Sequence, residues 1–160
     1  MMEESKLVVF FSATGNTRRV AECISRLTGA GMLEIVPERT YSAEDLDYTN
    51  DLCRANREMA DSGCRPDIGG SLAAADRADE IWLGYPVWWG TAPRIIDTFL
   101  DEHDLQGRTV HLFCTSGSSG IDQSAADLKA ECPGVSFASG RRFAARFSES
   151  QVSDWLDSLN

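Results

Sequence analysis

The sequence predicts an α/β fold, an open parallel sheet with helices on both faces. Three observations point to it. Short apolar runs alternate with segments of helical period along the chain. The first run, "KLVVFF", is apolar without a period of two, as expected of a strand covered on both faces. Three of the runs end in loops, "SATGNT", "PVWWGT" and "TSGSSG", that lead into helical segments. Strands joined through helices run parallel, and right-handed crossovers leave few topologies.

The elements follow in order. The first strand covers 6–11. Val20, Ala21, Ile24 and Leu27 recur at helical spacing and predict a helix over 16–28, with Arg18, Arg19, Glu22 and Arg26 on its wet side. "MLEIVP" (32–37) reads as a short second strand. Residues 38–72 are the least regular part. Leu52, Ala55 and Met59 suggest an amphipathic helix there, before the breakers of "DSGCRPDIGG". "SLAAADRA" is a short helical piece and "EIWLGY" (80–85) the third strand. "RIIDTFL" is a helix with Thr91 as N-cap and Pro93 near its first turn. "RTVHLFC" is the fourth strand, "IDQSAADLKAEC" a helix and "GVSFASG" the fifth strand. "ESQVSDWLDSL" closes the chain as a helix, with Val152, Trp155, Leu156 and Leu159 on one face.

Composition narrows the function classes. The 160 residues suit one domain, read as spanning 1–160. Hydrophobic residues at 42% and charged residues at 25% fit a soluble globular protein. No apolar run approaches the ~20 residues of a membrane span. The start, "MMEESK", lacks the basic and apolar regions of a secretory signal, so the expectation is cytoplasmic, with no membrane partner. A net charge of -10 argues against nucleic acid. It suits docking onto a basic protein surface, and it equally suits solubility alone.

The five cysteines, Cys23, Cys53, Cys64, Cys114 and Cys132, include no C-x-x-C pair. Neither a zinc ribbon nor a redox dithiol is supported, and reduced thiols are expected. Cys23 and Cys114 sit in apolar patterns and read as small core residues. His111, inside "TVHLFC", reads as a satisfied structural histidine. No metal site is expected.

Parallel strands point their C-terminal ends the same way, so the three loops emerge on one edge. Open α/β sheets bind ligands there, at the switch point in strand order. In the first loop Gly15 permits a tight turn, and the following helix N-terminus offers free N–H groups and partial positive charge. Ser12, Thr14 and Thr17 add hydroxyls and Asn16 an amide, a set suited to a phosphate. One hydroxyl would suffice for an ordinary helix cap. Neither G-x-x-x-x-G-K-[ST] nor G-x-G-x-x-G is present. In the second loop Trp88 and Trp89 follow Pro86 and Val87. At least one indole suits a flat aromatic ligand, the bland alternative being a pair that covers the sheet edge. Gly90 permits a close approach. The third loop, with Thr115, Ser116, Gly117, Ser118 and Gly120, offers backbone donors and little bulk.

"SATGNT" after the first strand resembles the flavodoxin phosphate loop, T/S-x-T-G-x-T. "GYPVWWGTAPRIIDTFL" and "FCTSGSSGI" resemble the two flavin-flanking loops of flavodoxin-like proteins. The resemblance covers most of the chain outside residues 38–72. It implies a flavodoxin-like three-layer sandwich of short-chain type. The five-stranded parallel order 2-1-3-4-5, with the cofactor FMN at the switch point, is that family's own and comes with the resemblance. It further implies that Ser12, Ala13, Thr14, Gly15, Asn16 and Thr17 hold the FMN phosphate. Pro86, Val87, Trp88, Trp89 and Gly90 would run along the isoalloxazine, with backbone groups near N5. Thr115, Ser116, Gly117, Ser118 and Gly120 would meet its pyrimidine edge. One departure stands out: the third loop lacks the tyrosine that small flavodoxins stack on the flavin. That duty falls to Trp88 or Trp89, or one flavin face stays open.

The leading expectation is an FMN-binding electron carrier with a redox partner protein and no catalytic side chain. The alternative is an FMN-dependent NAD(P)H or quinone reductase on the same fold, with a substrate pocket built by residues 38–72 or by a partner subunit. A non-redox module for another phosphorylated ligand is the third.

Overall fold

The computed structural model describes residues 6–159. Along the chain run β1 (Lys6–Phe10), α1 (Asn16–Thr28), β2 (Gly31–Glu34), β3 (Val36–Pro37), α2 (Arg54–Ala60) and β4 (Ile68–Gly69). A 3-10 turn, Ala73–Arg77, leads to β5 (Glu80–Pro86), α3 (Arg94–Glu102), β6 (Thr109–Thr115), α4 (Asp122–Glu131), β7 (Ser136–Phe143) and α5 (Glu149–Ser158). The main sheet has the order β2-β1-β5-β6-β7, every pair parallel. This is the expected 2-1-3-4-5 order, with β3 and β4 set aside as a separate antiparallel ribbon.

The apolar character of β1 has a direct cause. Leu7, Val9 and Phe11 pack into one core layer with Ile81, Leu83, Ile95 and Phe99. Val8 and Phe10 alternate into the other, with Val20, Ile24, Val152 and Trp155. Both sheet faces are covered, so neither set of alternating side chains is polar. One close approach constrains the sheet: a Cβ on Gly84 would lie 2.1 Å from the Phe113 ring.

Several sequence expectations need correction. The strand expected over 32–37 divides at Ile35, whose N–H donates to the Phe10 carbonyl at 2.7 Å and ends pairing with β1. Val36 and Pro37 then leave the sheet and pair with Ile68–Gly69. The fifth strand lies at 136–143 rather than 134–140. Leu27 and Leu52 are exposed, and Leu52 precedes α2 instead of lying on its apolar face. Thr91 does not cap α3: Pro93 occupies that position without a side-chain cap, and the Thr91 hydroxyl donates to Asp127 at 2.6 Å. His111 is only half satisfied. Its Nε2 lies 2.6 Å from Glu80, while the buried Nδ1 has no partner among the described residues. Cys23 and Cys114 are buried as expected, and all five cysteines are free.

Candidate functional site

The turn into α1 is built by Gly15 and Ser12. Gly15 has φ +98°, a left-handed conformation that a side chain would strain. The Ser12 hydroxyl accepts from the N–H groups of Gly15 at 3.1 Å and Arg18 at 3.2 Å, so Ser12 caps the helix. The first turn of α1 holds no acidic residue, which leaves the helix's positive end uncompensated. Thr14 stands exposed on the loop. Thr17 is buried, and its hydroxyl pairs with that of Thr115 at 2.7 Å, tying the start of α1 to the end of β6.

Arg19 stands beside the first loop, a placement that the sequence pattern missed. Its helical position placed it on the wet face, and it is exposed there. Its guanidinium nevertheless donates to the Asn16 side-chain carbonyl, and its Nη1 lies 3.8 Å from where a Gly15 Cβ would stand. A basic residue one turn into a helix that follows a small-residue loop was the available signal.

The second loop separates its two indoles. Trp88 and Thr91 exchange backbone hydrogen bonds of 2.9 and 3.0 Å around Trp89 and Gly90. Both central residues have positive φ, +53° for Trp89 and +78° for Gly90. This backbone suits glycine but costs tryptophan about 1–2 kcal/mol. Trp88 turns inward and meets Phe11 and Tyr41 edge-on, at centroid distances of 5.7 and 5.4 Å. Trp89 turns outward and is 60% exposed, yet its Nε1–H donates to the side-chain carbonyl of Asn56 at 2.8 Å.

Asn56 belongs to the segment the sequence left irregular. That segment wraps onto the loops by side-chain bonds. The buried Asn56 amide donates to the carbonyls of Tyr48 at 2.9 Å and Asn50 at 3.0 Å. Arg54 lies 3.8 Å over the Tyr41 ring and bonds Glu58 at 2.9 Å, and the Tyr41 hydroxyl donates to Glu58. Burial and the adjacent Glu58 carboxylate push the Tyr41 hydroxyl well above its ordinary pKa. Arg94 of α3 donates to the carbonyls of Met59 at 2.8 Å and Glu58 at 3.4 Å, satisfying the C-terminal end of α2.

Between these parts lies a cavity of about 530 Å³. Ala13 and Thr14 close it on the side of the first loop, and Pro86 through Trp89 form one wall. Leu46, Tyr48, Asp51, Ala55, Asn56 and Met59 form the other. The expected site residues therefore fall into two groups. Those of the first two loops meet around the cavity or at the turn beside it. Those of the third loop do not line it. Ser116 and Gly117 are instead held by Arg142 of β7.

A second, polar cleft lies behind the indole turn, lined by Thr91, Arg94, Asp97, Asp127 and Glu131. Asp97 is buried there. Desolvation, reinforced by the neighbouring Glu131 carboxylate, raises its pKa to about 7 against the pull of Arg65 and Arg94. Among the described residues no group of three His, Cys, Asp or Glu side chains could hold a metal ion, and no helix is long and apolar enough to cross a membrane.

Comparison with known proteins fits this geometry. A protein from Bacteroides eggerthii DSM 20697, assigned as a flavoprotein, has a crystal structure that superposes with a TM-score of 0.91 at 40% identity, covering 96% of each chain. A similarly assigned protein from Bacteroides uniformis ATCC 8492 gives 0.89 at 39% identity, over 96% of this chain and 98% of that one. A flavoprotein in complex with FMN, from Lactobacillus acidophilus NCFM, gives 0.75 at 23% identity, over 96% and 99%. At that identity the likeness speaks for the fold. No curated protein matches the sequence. A family model described as Flavodoxin matches residues 5–159. The chain belongs to the flavodoxin family.

Proposed function

We propose that the chain binds FMN across the first two loops and passes electrons through it to and from a partner protein. The observation that carries this is the pairing of two unlike surfaces around one cavity. One end is a helix N-terminus without acidic residues, with hydroxyls and Arg19 beside it. The wall next to it is apolar and aromatic, through Val87, Trp88 and Trp89. The first suits a phosphate dianion and the second a flat heteroaromatic ring. The volume lies in the range of small-molecule sites. The FMN-bound flavoprotein from Lactobacillus acidophilus, with the same fold, supports the choice of ligand.

Bound FMN would supply the redox chemistry; the chain's residues bind, orient and shield it. The Asn16 N–H and the Thr14 hydroxyl would donate to the phosphate, with Arg19 adding charge. The strained indole turn would offer its backbone and the Trp89 edge to the ring. No side chain is assigned an acid or base role.

The reading is tested by titrating apo-protein with FMN and FAD. Tighter FMN binding is expected, because the phosphate end is built around a terminal group. Equal or tighter FAD binding would overturn it.

One observation favours a reductase as the second reading. The segment Leu46–Met59 closes the cavity with a wall of mixed character, Leu46, Ala55 and Met59 beside Asp51 and Asn56, rather than leaving the sheet edge open for protein docking alone. Steady-state consumption of NAD(P)H by the FMN-loaded protein, with a quinone as acceptor, separates the enzyme from the carrier.

A further inference from the structure

Two aromatic rings that line the cavity are left open to water. Tyr48 is 78% exposed and Trp89 60%. Both are nevertheless fixed at their bases by one residue. Asn56 donates to the Tyr48 carbonyl at 2.9 Å and accepts from the Trp89 indole at 2.8 Å. It also donates to the Asn50 carbonyl at 3.0 Å, which fixes the chain beside Asp51. Trp89 reaches its outward position on a left-handed backbone, φ +53°, that tryptophan adopts at a cost. Large exposed rings grouped at a cavity mark a recognition surface. Asp51 lines the same cavity and is the one carboxylate, and the one residue with a full charge, that does so among the described residues. Its neighbours in sequence are already engaged. Asp45 accepts from the Ser42 N–H at 3.0 Å and Asp47 from the Thr49 N–H at 3.2 Å. Asp51 has no hydrogen-bond or ion-pair partner among the described residues. No lysine or arginine lies between Tyr41 and Cys53. The next base, Arg54, is buried and bonded to Glu58 at 2.9 Å and to the Arg39 carbonyl at 2.7 Å.

We infer that the exposed part of the cavity, formed by Tyr48, Asp51 and Trp89, is a subsite for a planar aromatic cation. The ring faces of tyrosine and tryptophan carry negative potential and attract a positive charge held against them. A planar ligand also gains contact area on rings that are already fixed, so little side-chain freedom is lost on binding. The free Asp51 carboxylate adds attraction of the same sign. Solvent screens an exposed carboxylate, so its effect is a preference of charge rather than tight affinity. The first loop differs in sign. There the start of α1 carries no acidic residue in its first turn, and Arg19 stands beside it. The two linings therefore select opposite charges: an anion at the first loop, and a cation at Tyr48, Asp51 and Trp89. The subsite stands on the walls of the cavity and goes beyond the FMN reading. Under the reductase reading it makes the small substrate a cationic or neutral ring and turns anionic ones away.

The test uses three planar probes of one shape and different charge: benzamidine as its amidinium cation, neutral benzamide and anionic benzoate. Each is titrated into the full chain, with and without FMN, and binding is read from the shift of the Trp89 indole N–H resonance, assigned through Trp89→Phe. Affinity is expected to fall in the order benzamidine, benzamide, benzoate in both forms of the protein. Asp51→Asn should weaken benzamidine about threefold and leave benzamide unchanged. Raised ionic strength should shrink the advantage of benzamidine in wild type and not in Asp51→Asn. Tyr48→Leu should weaken benzamidine about threefold with Asp51 still present. Equal affinity for the three probes, or no binding of benzamidine, overturns the inference. So does an order of charges that survives unchanged in Asp51→Asn. Benzamidine binding that vanishes once FMN is loaded also overturns it, because this part of the cavity then belongs to the flavin. Failure of the folded wild type to bind FMN overturns the FMN reading instead, and the order of the probes on the apo-protein then decides the subsite by itself.

Discussion

The Trp89 indole N–H donates to the Asn56 side-chain carbonyl at 2.8 Å, joining the strained turn after β5 to the buried face of α2. Asn56 spends both amide hydrogens on the carbonyls of Tyr48 and Asn50. One side chain therefore sets the position of the indole and the path of the opposite cavity wall.

Asn56→Leu should remove all three bonds and leave two carbonyls and an indole N–H to find water. A loss of about 2–4 kcal/mol is expected, at about 1 kcal/mol per bond plus the cost of groups left unpaired. Urea unfolding measures the loss, and amide exchange should place it in residues 46–56 before the sheet. A loss spread evenly over the sheet would show that Asn56 only packs.

The two indoles should separate on substitution. Trp88→Leu removes edge contacts with Phe11 and Tyr41 and should cost about 2–3 kcal/mol of stability, leaving the spectrum of bound FMN nearly unchanged. Trp89→Leu should cost less than about 1 kcal/mol, since it deletes a mostly exposed ring, yet it should raise the emission of bound FMN. The opposite pattern would place Trp88 against the flavin.

Thr14 and Thr17 divide in the same way. Thr14→Ala should weaken FMN binding by about 1–2 kcal/mol, the range of a hydrogen bond to a charged group, while the melting temperature holds. Thr17→Val leaves the buried Thr115 hydroxyl without its partner and should cost about 1–2 kcal/mol of stability even without FMN. Titration calorimetry and thermal unfolding of the apo-protein read the two effects independently.

Gly84→Ala should be among the more damaging single changes in the sheet, costing about 2–3 kcal/mol, because its Cβ would enter the Phe113 ring. Adding Phe113→Leu should recover part of the loss. The coupling of the pair in a double-mutant cycle should therefore differ clearly from zero. Strict additivity would place the damage elsewhere.

Asp97 makes stability pH-dependent. Its folded pKa, about 7, stands above that of an unfolded aspartate, so the folded state holds a proton the unfolded state has released. Its favourable contribution is complete below about pH 4 and is lost as pH rises toward 7. Asp97→Asn should flatten this part of the stability profile and raise stability at pH 8 by about 1–2 kcal/mol. A profile unchanged in the variant would show that Asp97 does not carry this pH dependence.

The strands and helices of the sheet were legible because each carries a pattern of its own. Val20, Ala21 and Ile24 mark the buried stripe of α1, and the alternate residues of β1 serve two cores. The ends of the three loops were legible for the same reason. Residues 38–72 were not, because their order comes from single side chains reaching distant backbone: Asn56 to Tyr48, Arg94 to Met59, Arg54 across Tyr41. Such bonds have no period. The inward turn of Trp88 and outward turn of Trp89 were hidden too. Adjacent positions on a regular strand alternate, but the choice here depends on a left-handed residue, which nothing about tryptophan announces.

The far wall of the cavity is joined to the sheet edge by few strand ladders. It is held to loop 2 through Trp89, to α3 through Arg94 and the Arg65–Asp101 pair, and to Phe11 and Trp88 through Tyr41. The parallel sheet and the phosphate-type turn can therefore stay constant while this wall is exchanged. A chimera that grafts another sequence between Arg39 and Leu72 should keep the main sheet intact if it supplies an acceptor for Trp89, carbonyls for Arg94 and an aromatic ring in place of Tyr41. The cavity's outer lining becomes a transplantable part, and the sheet edge a chassis that accepts it.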